Sequence, residues 1–244
     1  MEKPINPENE PDFSSAFPGS SVTELPLFPL DLVLFPHMMV PLHIFEERYK
    51  EMVNRCVKES QPFGIVLATG VSPGSGRTTT REIGCMARIA RVERLPDGKM
   101  NIEVVGESRF RILDTHETKA YRTGLTELLI DEPMATQAIL SLADEVQRLL
   151  RDFLTRSLAR IGQTIDDFEL PSEPGPLSFT AACVLPIENG QKQELLEETD
   201  TAARLTVEKD ILIREVTRLR RTAEASSVSV PVNLKRYEAY ISLN

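Results

Sequence analysis

The sequence predicts an α+β protein in which a β-rich half is followed by a helical half. Two observations carry this. From Val22 to about Asp131, short apolar runs are separated by turn residues, the pattern of several strands in a barrel or sandwich. After Glu132-Pro133 the apolar residues recur at the helical period instead. The expected divisions are a tail over 1–21, a β subdomain over 22–132, a helical bundle over 133–225 and a second tail over 226–244.

The first twenty-one residues are rich in Pro, Asn, Glu and Ser and contain no apolar stretch of the kind a secretory signal needs. In Leu25–Tyr49, Pro26, Pro29, Pro36 and Pro41 punctuate an otherwise apolar segment. Each proline removes a ladder donor, so the segment predicts short strand pieces turning corners, not a central strand. Glu46–Glu59 follows, with Tyr49, Met52, Val53, Cys56 and Val57 on one helical face. Phe63–Thr69 reads as a buried strand, and Glu82–Leu95 and Met100–Val105 as strands joined by the turn Pro96-Asp97-Gly98. Arg109–Thr115 and Gly124–Ile130 complete the series.

In the second half, Ile139, Leu142, Val146, Leu149, Leu150, Phe153 and Leu154 keep a helical period across Met134 to about Arg160. Gly162 and the proline-rich 171–176 break the chain. Leu177–Leu185 predicts a short helix stopped by Pro186, and Gln191–Glu198 a third. Asp200 is placed to cap a fourth that runs to about Thr222, with Leu205, Leu212, Val216 and Leu219 on one face. Arg218, Arg220 and Arg221 fall in its predicted last turn, the negative end of the helix dipole. Ser226–Asn244 reads as either a strand or an extended arm.

Composition narrows the function. A formal charge of -9 opposes the positive field that phosphate backbones require, so nucleic-acid binding is disfavoured. Cys56, Cys85 and Cys183 are dispersed and odd in number, which fits a reducing cytoplasm and not a disulfide framework. No run is long enough to span a membrane. His37, His43 and His116 lack the spacing of a metal site, and no cofactor motif is complete. The loop Gly74-Ser75-Gly76-Arg77-Thr78 falls short of a phosphate loop. Gly70-Val71-Ser72-Pro73-Gly74 has the outline of a nucleophile elbow, but Pro73 has no N–H for an oxyanion hole and no helix follows. A hydrolase built on Ser72 is therefore the weakest reading.

The motifs L-P-L-F-P-L, V-L-F-P and P-L-x-I-F-E-x-R-Y in Leu25–Tyr49, with F-G-I-V-L from Phe63, resemble the N-terminal substrate-binding domain of the ATP-dependent Lon proteases. Gly84–Ile89 is similar to the family's G-x-x-A-x-I, and Gly106–Ile112 to its G-x-x-R-F-R-I. Lys192-Gln193-Glu194-Leu195-Leu196-Glu197, Asp200 and Arg204-Leu205 are similar to its K-Q-x-L-L-E…D…R-L. The resemblance spans about residues 22–220 and holds in order. It implies a PUA-like β pseudo-barrel followed by an α-helical bundle. In Lon, ATPase and Ser-Lys protease modules follow this domain. A chain ending at Asn244 has no room for them and resembles the stand-alone proteins of the family.

The function so implied is non-catalytic binding of unfolded or extended protein segments, with a protease or chaperone as a further partner. RNA binding by a PUA-like fold is the alternative. Leu34, Phe35, His37, Met38, Met39 and Val40 are the expected peptide-contact surface, Met being suited to promiscuous apolar binding. Phe28, Pro29, Pro36, Phe45, Glu46, Arg48, Tyr49, Gly106, Arg109, Phe110, Gln193 and Arg204 are expected to build the fold, with Arg109 paired to a carboxylate.

Overall fold

A computed structural model describes residues 22–73, 76–117, 119–132, 136–163 and 168–225; the predicted tails over 1–21 and 226–244 lie outside them. Six strands come first: β1 (Val22–Leu30), β2 (Met39–Ile44), β3 (Phe63–Val71), β4 (Thr78–Arg94), β5 (Met100–His116) and β6 (Thr123–Leu128). Helix α1 (Glu47–Glu59) interrupts them, and α2 (Gln137–Ala159), α3 (Pro174–Val184), α4 (Asn189–Glu197) and α5 (Thr201–Ala225) follow.

The expected pseudo-barrel is corrected to a six-stranded mixed sheet in the order β2-β5-β4-β3-β1-β6. Among the described residues strand β2 pairs only with β5, which leaves an open edge that full closure would abolish. The pairing β1–β3 is parallel and the others are antiparallel. The long strand β5 changes neighbour along its length, pairing with β2 over Met100–Val105 and with β6 over Phe110–His116. Bulges between Cys85 and Ala87 and between Ile89 and Arg91 bend the long β4–β5 ladder.

Three sequence expectations change for local reasons. Pro26 and Pro29 lie inside β1, a strand flanked by two others. Its neighbours take turns, β6 along Val22–Pro26 and β3 along Leu27–Leu30, so neither proline faces a ladder on both sides. The two strands read at Met100–Val105 and Arg109–Thr115 are one, since Gly106 answers a steric demand and not a turn. Helix α3 begins at Pro174, three residues before the expected start, because proline is tolerated in a first turn where its missing N–H has no partner to lose.

Asp200 caps α5 as expected, its carboxylate accepting from the N–H groups of Ala202 at 2.8 Å and Ala203 at 3.2 Å. The helix continues to Ala225, so Arg218, Arg220 and Arg221 precede its last turn. Arg220 pairs instead with Asp152 on α2 at 2.8 Å, and Lys209 with Glu145 at 3.0 Å. Residue numbers rise together in these two pairs, so α2 and α5 run in the same direction. One apolar core is continuous from Phe28 and Phe35 through Leu150 and Leu177 to Leu212, joining the sheet, α1 and the later helices. A smaller cluster of Leu25, Leu27, Val66, Met86 and Phe110 fills the other side of the sheet.

Candidate functional site

The segment between β1 and β2 turns sharply over Phe35–Met38. Met38 N–H donates to Phe35 O at 3.1 Å, and His37 takes φ 65°, a left-handed value uncommon for a side-chain-bearing residue. His37 N–H then donates to Gly106 O at 2.7 Å, and Gly106 N–H to Met38 O at 2.8 Å. A Cβ on Gly106 would stand 2.1 Å from Phe35 O, so only glycine lets the turn dock on β5.

This docking divides the expected contact surface. Leu34, Phe35, Met38 and Val40 are buried in the main core and offer nothing to a partner. The cause is the turn itself, which folds the apolar residues on either side of His37 inward. His37 is exposed and Met39 half-buried. In β2 the alternation of a strand puts Val40, Leu42 and Ile44 toward the core and Met39, Pro41 and His43 on the opposite face. Phe45 extends that outer row. It is 58% exposed, and its ring stacks on His43 at 6.1 Å between centroids. Expected as a fold-building residue, Phe45 is instead the most exposed aromatic side chain among the described residues.

The row ends at the start of α1, where Glu46 and Arg48 form an exposed ion pair at 2.7 Å. Glu47, Arg48, Lys50, Glu51 and Asn54 there line an open recess of about 600 Å³ with Asp97, Gly98 and Ala120. Its walls carry both signs of charge, with Lys50 held by Glu47 at 2.8 Å. An apolar row thus leads along β2 to a polar recess at the start of α1.

Other signature residues are packed within the fold. Phe28 and Tyr49 pack ring to ring at 4.3 Å, while Pro36 is buried and Pro29 half-buried. Phe110 is fully buried and fills the space left by Gly64 and Gly84. Gln193 is buried on α4 and donates to Ile83 O on β4 at 2.9 Å, and Glu197 pairs with Arg81 beside it at 2.7 Å.

Arg109 and Arg204 converge on Asp131, in the connection between β6 and α2. Arg109 Nη1 also donates to the carbonyls of Leu196 at 2.7 Å and Glu198 at 2.6 Å. Arg204 reaches Asp131 Oδ2 at 3.0 Å, Glu198 O at 2.8 Å and Ser178 Oγ at 2.6 Å. Both guanidiniums lie over the ring of Phe179, at 5.2 and 4.1 Å from its centroid. Burial lowers the Arg109 pKa, opposed by Asp131 and reinforced by Arg204. Ser178 in turn donates to Glu208 at 2.8 Å; burial pushes that carboxyl well above the usual range, and its Oε2 has no hydrogen-bond partner among the described residues. The sequence signals Arg109 and Arg204 through their motifs, but nothing in it singles out Asp131, Ser178 or Glu208.

Gly74 and Ser75, which belong to the other two motifs, the elbow-like and the phosphate-loop-like, lie outside the described residues. Ser72 lies in the β3–β4 hairpin, its N–H donating to Arg77 O at 2.7 Å, so the strand leads to a strand and not to the helix of an elbow. Among the described residues no group of three or more His, Cys, Asp or Glu could hold a metal ion, and no helix is long and apolar enough to cross a membrane.

Residues 24–214 match the family described as the ATP-dependent protease La (LON) substrate-binding domain. The chain is 32% identical over 200 residues to the Lon protease of Trichlorobacter lovleyi, covering 78% of this chain and 24% of that protein. It is 27% identical over 244 residues to the Lon protease of Lawsonia intracellularis, covering 96% of this chain and 28% of that protein. The chain therefore spans about a quarter of the length of these curated relatives. A Lon N-terminal domain protein from Xanthomonas campestris superposes with a TM-score of 0.55 at 26% identity, covering 75% of this chain and 95% of that one. The N-terminal domain of a Mycobacterium avium complex Lon protease shares the fold, with a TM-score of 0.58 at 23% identity over 78% of this chain and 98% of that one. The match falls on a substrate-binding domain and not on a catalytic one, and with most of its length matched this chain belongs to the Lon substrate-binding domain family.

Proposed function

We propose that this chain is a non-catalytic module that captures unfolded or extended segments of other proteins in the cytoplasm, for a protease or chaperone that acts on them. The observation that carries the reading is the outer row of β2, in which Met39, Pro41, His43 and the 58%-exposed Phe45 present apolar surface beside a polar recess. An aromatic anchor with a hydrogen-bonding rim is how protein-binding sites concentrate their affinity. Membership in a family named for substrate binding supports the same reading. The contact surface proposed is accordingly His37, Met39, Pro41, His43 and Phe45.

The test is fluorescence anisotropy with labelled casein, an unfolded protein. The wild type is expected to bind, and a Met39→Ser/Phe45→Ser variant to bind about tenfold or more weakly. Absence of binding by the wild type, or equal affinity in the variant, would remove the reading.

A further inference from the structure

The register of β2 shows which of its backbone groups have no partner. Gly106 N–H donates to Met38 O, and the antiparallel pairing runs from Met39↔Val105 to Ile44↔Met100. In an antiparallel ladder, successive residues turn their N–H and C=O groups to opposite edges. Met38, Val40, Leu42 and Ile44 therefore turn toward β5, and Met39, Pro41 and His43 turn away from it. Pro41, which has no N–H, stands at one of the outward positions, where the β2–β5 ladder loses no bond. No other strand among the described residues pairs with this edge. Five backbone groups are presented along it: N–H and C=O of Met39, C=O of Pro41, and N–H and C=O of His43.

Such a row of donors and acceptors is complementary to one kind of partner, an extended polypeptide backbone. We infer that extended client segments bind by adding a strand to the outer edge of β2, pairing over Met39 to His43 and placing apolar side chains at alternate positions beside Met39, Pro41 and Phe45. This rests on the protein-binding function proposed above and supplies its mode. The span from Met39 to His43 is about 14 Å, which five residues of a client cover. A formal charge of -9 on this chain favours neutral or basic segments over acidic ones. A second copy is a poor occupant. Two β2 edges paired antiparallel about Pro41 would set proline against proline and lose both hydrogen bonds at the centre.

The test uses the intact chain, casein, and a seven-residue peptide of alternating valine and lysine made in three forms. One form is unmodified, one is N-methylated at the valine amides and one at the lysine amides. In an added strand only one of the two sets of amides faces β2. One methylated form is expected to lose about tenfold in affinity for each bond blocked, and the other to stay within about threefold of the parent. Hydrogen exchange followed by NMR supplies a readout that needs no variant. The amides of Met39 and His43 are expected to exchange rapidly in the free protein and to slow at least about tenfold with peptide bound. If casein binds while neither casein nor peptide protects these two amides, or if both methylated forms bind alike, strand addition is overturned and protein binding stands. If neither probe binds, the proposed function fails with it. Protection of Met39 and His43 without peptide, growing with protein concentration, would make the occupant a second copy and overturn the proposal.

Discussion

Replacing Asp131 with Asn would remove the one carboxylate among the described residues that forms an ion pair with Arg109 or Arg204, while preserving the size and shape of the side chain. Both guanidiniums are buried, with side-chain exposures of 2% and 0%, so neither can recover its hydration. Breaking a fully buried pair by removing one partner costs about 3–5 kcal/mol. Two features lower that figure here. Asp131 is itself 25% exposed, so water already screens part of the attraction. The carbonyls of Leu196 and Glu198 and the hydroxyl of Ser178 also remain as acceptors for the two arginines. A loss of about 2–4 kcal/mol is therefore expected. Urea unfolding at neutral pH measures it from the midpoint, provided the slope is unchanged. A loss below about 0.5 kcal/mol, the level of an ordinary surface substitution, would refute the argument that this carboxylate joins the two halves.

Three further outcomes follow from the same geometry. Burial raises the Glu208 pKa well above the ordinary carboxylate range in the folded protein, outweighing the hydrogen bond from Ser178 and the attraction of the Arg204 charge. A folded pKa raised above the unfolded one makes stability fall as pH rises from about 4.3 toward the folded value, so a Glu208→Gln variant is expected to show a flatter dependence as pH rises above about 4.3 in urea titrations. Gly106→Ala would drive a methyl group into the backbone carbonyl of Phe35, which cannot swing aside as a side chain could; a loss near the upper end of about 1–3 kcal/mol is expected by thermal or urea unfolding. Burial pushes the Cys56 thiol up to about 11 and raises Cys85 as well, so alkylation of both by iodoacetamide, read by mass spectrometry, is expected to await unfolding.

The sequence alone determined that strands come first and helices follow, and it determined the family. Those properties rest on local signals. The helical period of Val146, Leu150, Phe153 and Leu154 survives whatever the helix packs against, and Asp200 caps α5 through amides two and three residues away. Motifs kept in order from Leu25 to Leu205 carried the family without any coordinates. Tertiary structure decided what depends on residues distant in the chain. Which strands neighbour one another, and that β2 keeps an open edge, turned on pairings such as Met39 with Val105, some sixty residues apart, which periodicity does not encode. The proposed contact surface differs from the expected one for the same reason. Leu34, Phe35, Met38 and Val40 look alike in sequence to exposed apolar residues, and only the turn onto Gly106 sends them inward. Phe45 sits in a motif of fold-building residues, yet the strand's alternation leaves it outside. Asp131 reads in sequence only as the end of the β half, until Arg109 and Arg204, brought from β5 and α5, close on it. Local periodicity names the elements; the burial of a side chain depends on what the rest of the chain brings to it.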